Sequence, residues 1–179
     1  MSQSLGPTFT DALDGLGVGW TRTTAAEFPA AMADAVEQPA VGTPLPFDGV
    51  SLPEAVTVPP TPGELDAATT GVTPAFGGIA DYGTVVVESR PEGDELVSLY
   101  PERHVAVLRE SGLVAGVDGG SSAAGAGVDE AADDLRDRIE TDRGSAVLAT
   151  GASATADMGA TVTGVHGPRE VHVIVLTDR

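Results

Sequence analysis

Residues 171–176 read Val171-His172-Val173-Ile174-Val175-Leu176, an almost unbroken apolar run of the length of one β-strand. Three similar runs occupy residues 84–89, 104–108 and 145–150, and segments with helical patterns lie between the runs. Strands as apolar as these are covered on both faces, which is typical of parallel sheets with helices on either side. The sequence therefore predicts an α/β fold with a parallel-rich central sheet flanked by helices.

Four segments carry helix signals. Helices are predicted at residues 9–16 and 25–36, from Thr61 onward, and at 128–143. Thr24 is the expected cap of the second helix because Glu27 follows three positions later, and Thr61 with Glu64 repeats this spacing. Residues 116–127 are rich in Gly, Ser and Ala and are expected to form a surface loop.

Length and composition bound the function. The chain has 179 residues, 27 acidic against 9 basic side chains, and a formal net charge of -18. We expect a single domain over residues 1–179. Nucleic acid is excluded as a partner by this charge, since phosphates would be repelled. The chain has no cysteine, and all nine basic residues are arginines, so thiolate clusters and Schiff-base lysines are excluded.

The acidic excess also bears on the environment. Carboxylates in excess without any lysine indicate adaptation to molar salt, which screens their mutual repulsion, and favour a halophilic, haloarchaeal-like source. No apolar run reaches the length of a membrane span, and residues 1–6 lack the features of a signal peptide. We therefore expect a cytoplasmic protein without a membrane span.

The segment most suggestive of a ligand site is residues 150–158, Thr-Gly-Ala-Ser-Ala-Thr-Ala-Asp-Met. Small residues after a strand allow a ligand to approach the backbone, and a helix beginning near Ser153 would direct N–H groups at an anion. The alternative is a tight strand-to-helix turn capped by Ser153 or Thr155. A nucleophile elbow at Ser153 is disfavoured because its second glycine is missing.

The histidines and the remaining acid give further candidates. His104 and His172 lie in strands, where packing is the ordinary role, whereas His166 lies in a Gly-Pro turn that exposes its side chain beside Arg169. Asp81 precedes a strand and either presents a carboxylate to a cleft or ends a loop in an Asx turn. No spacing of histidines or carboxylates fits a metal site, and no metal is expected.

Three segments taken together resemble the LUD domain family, in its LutC/YkgG branch of lactate-utilisation proteins. They are residues 78–86, with Ala80-Asp81-Tyr82-Gly83-Thr84, residues 150–158, and residues 164–174, with Gly164-Val165-His166-Gly167-Pro168. Tyr82 stands where the family usually has Thr, and Ala152 where it has Pro. The resemblance covers residues 65–179, whereas residues 1–60 are a divergent stretch of helices and extended segments.

The resemblance implies a fold like that of the NagB/RpiA/CoA-transferase group and a role in oxidising L-lactate to pyruvate. It also implies partner subunits that carry iron–sulfur clusters. The sequence adds that this chain has no cysteine to ligate a cluster, so electron transfer would belong to those partners. Two function classes compete: a non-cluster subunit of a lactate-oxidising complex, and a stand-alone enzyme acting on a small anionic or CoA-linked substrate.

The expected site is a cleft that binds a small anion at the carboxyl ends of the strands. Its candidate residues are Asp81, Gly151, Ser153, Thr155, Asp157, His166 and Arg169. Among them, Asp81 lies before its strand and is therefore expected at the opposite strand end, unless its loop folds over. No cofactor is expected on this chain, and no catalytic residue is assigned.

Overall fold

A computed structural model describes residues 5–116, 144–157, 160–164 and 166–179. The helices are α1 (Leu5–Gly15), α2 (Phe28–Ala35), α3 (Pro62–Ala67) and α4 (Asp94–Leu99). The strands are β1 (Gly19–Thr23), β2 (Ala40–Gly42), β3 (Val56–Thr57), β4 (Thr70–Pro74), β5 (Gly77–Ile79), β6 (Thr84–Glu88), β7 (Arg103–Arg109), β8 (Leu113–Val114), β9 (Ala146–Thr150), β10 (Ala154–Asp157), β11 (Ala160–Thr163) and β12 (Glu170–Leu176). The helix predicted at 128–143 and most of the loop predicted at 116–127 lie outside the described residues.

Six strands form the central sheet in the order β1-β12-β7-β4-β2-β3, and every neighbouring pair in it is parallel. The α/β prediction is therefore confirmed. Three of these strands, β1, β2 and β3, come from the first sixty residues. The stretch that the three resembling segments leave out thus builds half of the central sheet.

Strand β12 shows why residues 171–176 are apolar at nearly every position. Val173 and Val175 point to one face of the sheet and pack with Phe9 and Leu13 of α1. Ile174 and Leu176 point to the other face, where Phe28 and Met32 of α2 cover them, as their place in a second cluster shows. Because a helix packs on each face of the sheet, the side chains of residues 173–176 are buried whichever face they point to.

Two apolar runs predicted as sheet strands belong to a second sheet, ordered β8-β5-β6-β9. Strand β6 pairs antiparallel with both β5 and β9. One face of this second sheet packs against the same face of the central sheet that α1 covers. There Val85 of β6 belongs to the same apolar cluster as Phe9 and Leu13. Strand β9 is an edge strand and leaves Leu148 55% exposed, so its apolar run does not indicate cover on both faces.

The two predicted caps have different outcomes. Thr61 caps α3 in a complete capping box, in which its hydroxyl accepts from the Glu64 N–H and the Glu64 carboxylate accepts from the Thr61 N–H. Thr24 does not cap α2: the helix begins at Phe28 with Glu27 as its N-cap residue. The Thr24 hydroxyl instead donates to the Glu27 carboxylate at 3.2 Å.

None of the helices in the described ranges has the length and apolar character that crossing a membrane requires.

Candidate functional site

Two of the predicted segments meet at the amino end of β12. The Ser153 N–H donates to the Pro168 carbonyl at 2.9 Å, and the Gly164 N–H donates to the Ser153 carbonyl at 2.9 Å. The Ser153 side chain also lies against Gly167. The turn at 151–153 and the turn at 164–169, which holds His166, are therefore joined by backbone hydrogen bonds.

This position corrects the expectation that the site lies at the carboxyl ends of the parallel strands. The 164–169 turn comes directly before β12 and hence lies at the amino edge of the central sheet. The 151–153 turn does follow a strand, but that strand is β9 of the second sheet. The two segments meet because the end of the second sheet at which β9 finishes lies beside the amino ends of the central strands.

No helix begins near Ser153. Residues 154–157 form β10, which pairs antiparallel with β11 in a two-stranded sheet. The Ser153 N–H is already bonded to Pro168, so it is not free to bind an anion. Thr155 and Asp157 belong to β10 by their backbone, and their side chains lie outside the part that the structure describes.

Asp81 lies at the same end of the second sheet as Gly151, not at the opposite end. Thr84, the first residue of β6, pairs with Thr150, the last of β9, and their hydroxyls are 2.6 Å apart. Asp81 is exposed in a 3-10 turn at Ala80–Tyr82, just before that pair. Leu16 at the end of α1 lies beside both Gly83 and Gly151, which links the two turns.

A crevice of about 350 Å³ opens at this edge of the central sheet. It is lined by the loop after α1, by Ala152, and by the amino ends of β7 and β12: Leu16, Gly17, Val18, Gly19, Arg103, Ala152, Arg169, Glu170, Val171 and His172. We call it the amino-end crevice. Of the predicted site residues, Arg169 lines it directly, and Gly151 and Ser153 flank Ala152.

Arg103 is the most firmly held cation of the amino-end crevice. Its guanidinium lies 2.8 Å from the Glu37 carboxylate and 2.5 Å from that of Glu170, and it donates to the Ala35 carbonyl at 3.2 Å. These contacts join α2, β7 and β12 at one point. Because Arg103 is neutralised by two carboxylates, its role here is to fix the edge of the sheet.

Arg169 is held far more loosely. Its guanidinium is 3.9 Å from Glu102, both side chains are more than 60% exposed, and a pair of this kind contributes little to stability. His166, three residues earlier, is also exposed. Arg169 thus offers donors and a fixed positive charge to a ligand at the rim of the crevice, whereas His166 is not among the residues that line it.

The sequence predicts an ordinary structural role for His172 in its strand, packed or hydrogen-bonded, and the structure shows that it also lines the amino-end crevice. Its Nε2 is 2.9 Å from the Thr21 hydroxyl of β1. Burial, with a smaller contribution from Arg103, lowers the pKa of His172, so the imidazole is neutral at pH 7. The signal that could have found it is its polarity within an otherwise apolar strand.

Acid–base chemistry at Ser153 has no support in the described residues. The hydroxyl–imidazole hydrogen bonds found there join Thr21 to His172 and Thr73 to His104. Nor does any group of three or more His, Cys, Asp or Glu there have the geometry to hold a metal ion. In the described residues, the amino-end crevice therefore supplies cations and hydrogen-bond donors, and no imidazole is bonded to the Ser153 hydroxyl.

Three comparisons place the chain among known proteins. The model of the LUD domain family matches residues 63–176. Lactate utilization protein C of Deinococcus radiodurans is 33% identical over 177 residues, which covers 94% of this chain and 77% of that protein. The crystal structure of a DUF162 family protein from Deinococcus radiodurans superposes with a TM-score of 0.64 at 25% identity and covers 96% of both chains.

Proposed function

Because the chain belongs to the LUD domain family, we propose that it acts in L-lactate utilisation, in the oxidation of L-lactate to pyruvate, as a subunit that carries no cluster. The observation that carries the proposal is the likeness to lactate utilization protein C, which spans nearly the whole chain and not only residues 63–176. Two of the three motifs contribute residues to the amino-end crevice, Ala152 from one and Arg169 to His172 from the other, which supports the proposal.

The proposed partners are iron–sulfur proteins of the same process. Oxidation of lactate to pyruvate releases two electrons, which need an acceptor. This chain has no cysteine to ligate a cluster, so the electrons would pass to clusters on other subunits. We place this work in the cytoplasm, and we relate the net charge of -18 to a salt-rich interior.

Within the complex, the amino-end crevice would bind a small anion. Arg169 and His166 supply the donors, while Arg103, Glu37 and Glu170 keep the edge of the sheet rigid. The loose pair of Arg169 with Glu102 supports this role, since little is lost when the guanidinium turns to a ligand.

The first experiment is deletion of the gene followed by growth on L-lactate as sole carbon source, with growth on pyruvate as the control. We expect growth on pyruvate only. Affinity purification from lactate-grown cells should recover cysteine-rich proteins with the absorbance of iron–sulfur clusters. Normal growth on lactate, in a strain without a second copy of the gene, would refute the proposed function.

The second experiment tests the site by complementation of that deletion. His166→Ala and Arg169→Gln, which remove the two proposed donors, should fail to restore growth on lactate, while their melting temperatures stay within a few degrees of the parent protein. Ser51→Ala, an exposed change in a loop remote from these turns in the sequence, is the matched control and should restore growth. Full complementation by all three variants would remove the amino-end crevice from the function.

A stand-alone enzyme is the competing class, and the purified protein distinguishes the two. If the chain alone converts a small anionic or CoA-linked substrate, product should form without added partner proteins. We expect no turnover until the cluster-bearing proteins are added.

A further inference from the structure

A second crevice lies at the opposite edge of the central sheet. It has a volume of about 320 Å³ and is lined by Pro46, Phe47, Pro74, Ala75, Phe76, Glu88, Arg90 and Arg109. Pro74 and Arg109 are the last residues of β4 and β7, which are neighbours in the middle of the parallel sheet. In open parallel sheets this carboxyl edge is where ligands bind, and we call this cavity the carboxyl-end crevice.

Arg109 differs from every other arginine that the structure describes. The other five each have a carboxylate within 4.0 Å: Arg22 with Glu110, Arg90 with Asp94, Arg103 with Glu37 and Glu170, Arg169 with Glu102, and Arg179 with Asp178. Arg109 has no such partner among the described residues. Arg109 is exposed at the cavity wall, so its guanidinium is available to an anionic ligand in a chain whose net charge is -18.

The Arg109 guanidinium is positioned by an aromatic ring. It lies over Phe47, 5.9 Å from the ring centroid, and Phe47 itself is 9% exposed and therefore fixed. A cation–π contact of this kind orients the guanidinium without using its N–H groups. Those donors remain available for a bidentate contact with a carboxylate.

The remaining charged groups of the carboxyl-end crevice limit the choice of ligand. Arg90 is committed to the protein, since its Nε and Nη2 donate to Asp94 and its Nη2 also to the Pro44 carbonyl. Glu88 is half-buried and interacts electrostatically with Arg90, but no side chain in the described part of the chain donates a hydrogen bond to its carboxylate. Such a carboxylate repels a dianion such as phosphate but accepts a hydrogen bond from a hydroxyl group.

We propose that the carboxyl-end crevice binds a short 2-hydroxy carboxylate, whose carboxylate contacts Arg109 and whose hydroxyl donates to Glu88. The ring of Phe47 and the side chains of Pro74 and Ala75 receive the ligand's alkyl group. The choice of a hydroxy acid rests on the proposed function in lactate utilisation. The carboxylate contact with Arg109 stands independently of it.

Calorimetric titration of the full chain with L-lactate, propionate and inorganic phosphate tests the proposal. Propionate keeps the carboxylate and lacks the hydroxyl, so it should bind more weakly than L-lactate, and phosphate more weakly still. Arg109→Gln should raise the Kd for L-lactate about tenfold or more, as expected for the loss of a charge-assisted hydrogen bond. The matched control is Arg22→Gln, which removes the same charge from β1 and should change the Kd less than about twofold.

Glu88→Ala tests the hydroxyl contact separately. The change removes the repulsion that Glu88 exerts on both anions and removes the hydroxyl contact that only L-lactate makes, so the ratio of the L-lactate and propionate affinities should fall to about one. Equal Kd values for Arg109→Gln and Arg22→Gln, or binding of phosphate as tight as that of L-lactate, would overturn the site. If the protein binds L-lactate but the deletion strain grows normally on lactate, the proposed function is overturned and this inference stands. If the protein does not bind L-lactate but the deletion strain fails to grow on lactate, this inference is overturned and the proposed function stands.

Discussion

Gly164 lies directly under the side chain of Arg169. Its φ is +78°, a left-handed conformation that L side chains rarely adopt, and a Cβ at this position would overlap the Arg169 stem, with Nε only 2.9 Å away. The turn before β12 therefore needs a glycine for two separate reasons. One concerns the backbone, and the other concerns the path of the guanidinium to the rim of the amino-end crevice.

Gly164→Ala should separate these two reasons when it is compared with Gly93→Ala. Gly93 has a φ of +91°, and no atom lies within 4 Å of the place that a Cβ would occupy, so its substitution carries the backbone cost alone. Both variants should lose about 1–2 kcal/mol of unfolding free energy. Only Gly164→Ala, which displaces Arg169, should impair complementation on lactate. Equal complementation by both variants would show that the position of Arg169 does not matter.

Gly71 has a different function, because it allows α4 to approach β4. A Cβ at this position would overlap the Val97 carbonyl oxygen, with the Pro101 ring at 2.9 Å. Gly71→Ala should therefore push α4 from the sheet and cost at least about 1–3 kcal/mol, measured by urea denaturation. Gly63→Ala, in α3 with nothing within 4 Å, should be neutral or slightly stabilising. An unchanged denaturation midpoint for Gly71→Ala would mean that the two backbones are not in contact.

Features that depend on neighbouring residues could be predicted from the sequence. The Thr61–Glu64 capping box forms as its spacing indicates, since both partners lie within one turn of helix. The apolar run at 171–176 indicates a central strand because both of its faces are buried. Thr24 and Glu27 show the limit of such patterns: their side chains do bond, but in the turn before α2 and not as its cap.

Features that depend on distant partners could not be predicted. Residues 154–157 are small and polar, with no strong preference, and they extend because β11 pairs with them. The β6 and β9 runs resemble central strands, yet they pair with each other in a second sheet. Arg109 has no distinguishing motif; its place over Phe47 follows from tertiary packing. The candidate segments could therefore be found from the sequence, but not the edge of the sheet on which they lie.

The excess of acidic side chains predicts a dependence of stability on salt. The net charge of -18 means that the carboxylates repel one another. Salt screens this repulsion, because the Debye length falls from about 10 Å at 0.1 M salt to about 3 Å at 1 M. The melting temperature should rise between these concentrations of sodium chloride. A triple variant, Asp11→Asn, Glu54→Gln and Glu92→Gln, removes three exposed charges and should show a smaller rise. A melting temperature that does not change with salt would show that these charges do not destabilise the fold.

The buried histidine of β7 predicts a loss of stability in mild acid. His104 is 1% exposed with its Nε2 2.9 Å from the Thr73 hydroxyl, and burial lowers its pKa from 6.5 to about 4. The unfolded chain therefore takes up a proton at a higher pH than the folded chain does. This contribution to stability is complete above pH 6.5 and is lost as the pH falls toward 4.

The expected loss from His104 between pH 7 and pH 5 is about 2 kcal/mol. His172, whose pKa is also lowered, acts in the same direction, so the parent protein alone does not isolate His104. His104→Gln removes the titrating group and keeps a polar side chain near Thr73. The difference in unfolding free energy between the parent and this variant should therefore shrink by about 2 kcal/mol from pH 7 to pH 5. A difference that stays constant over that range would mean that burial does not lower the pKa of His104 below that of the unfolded chain.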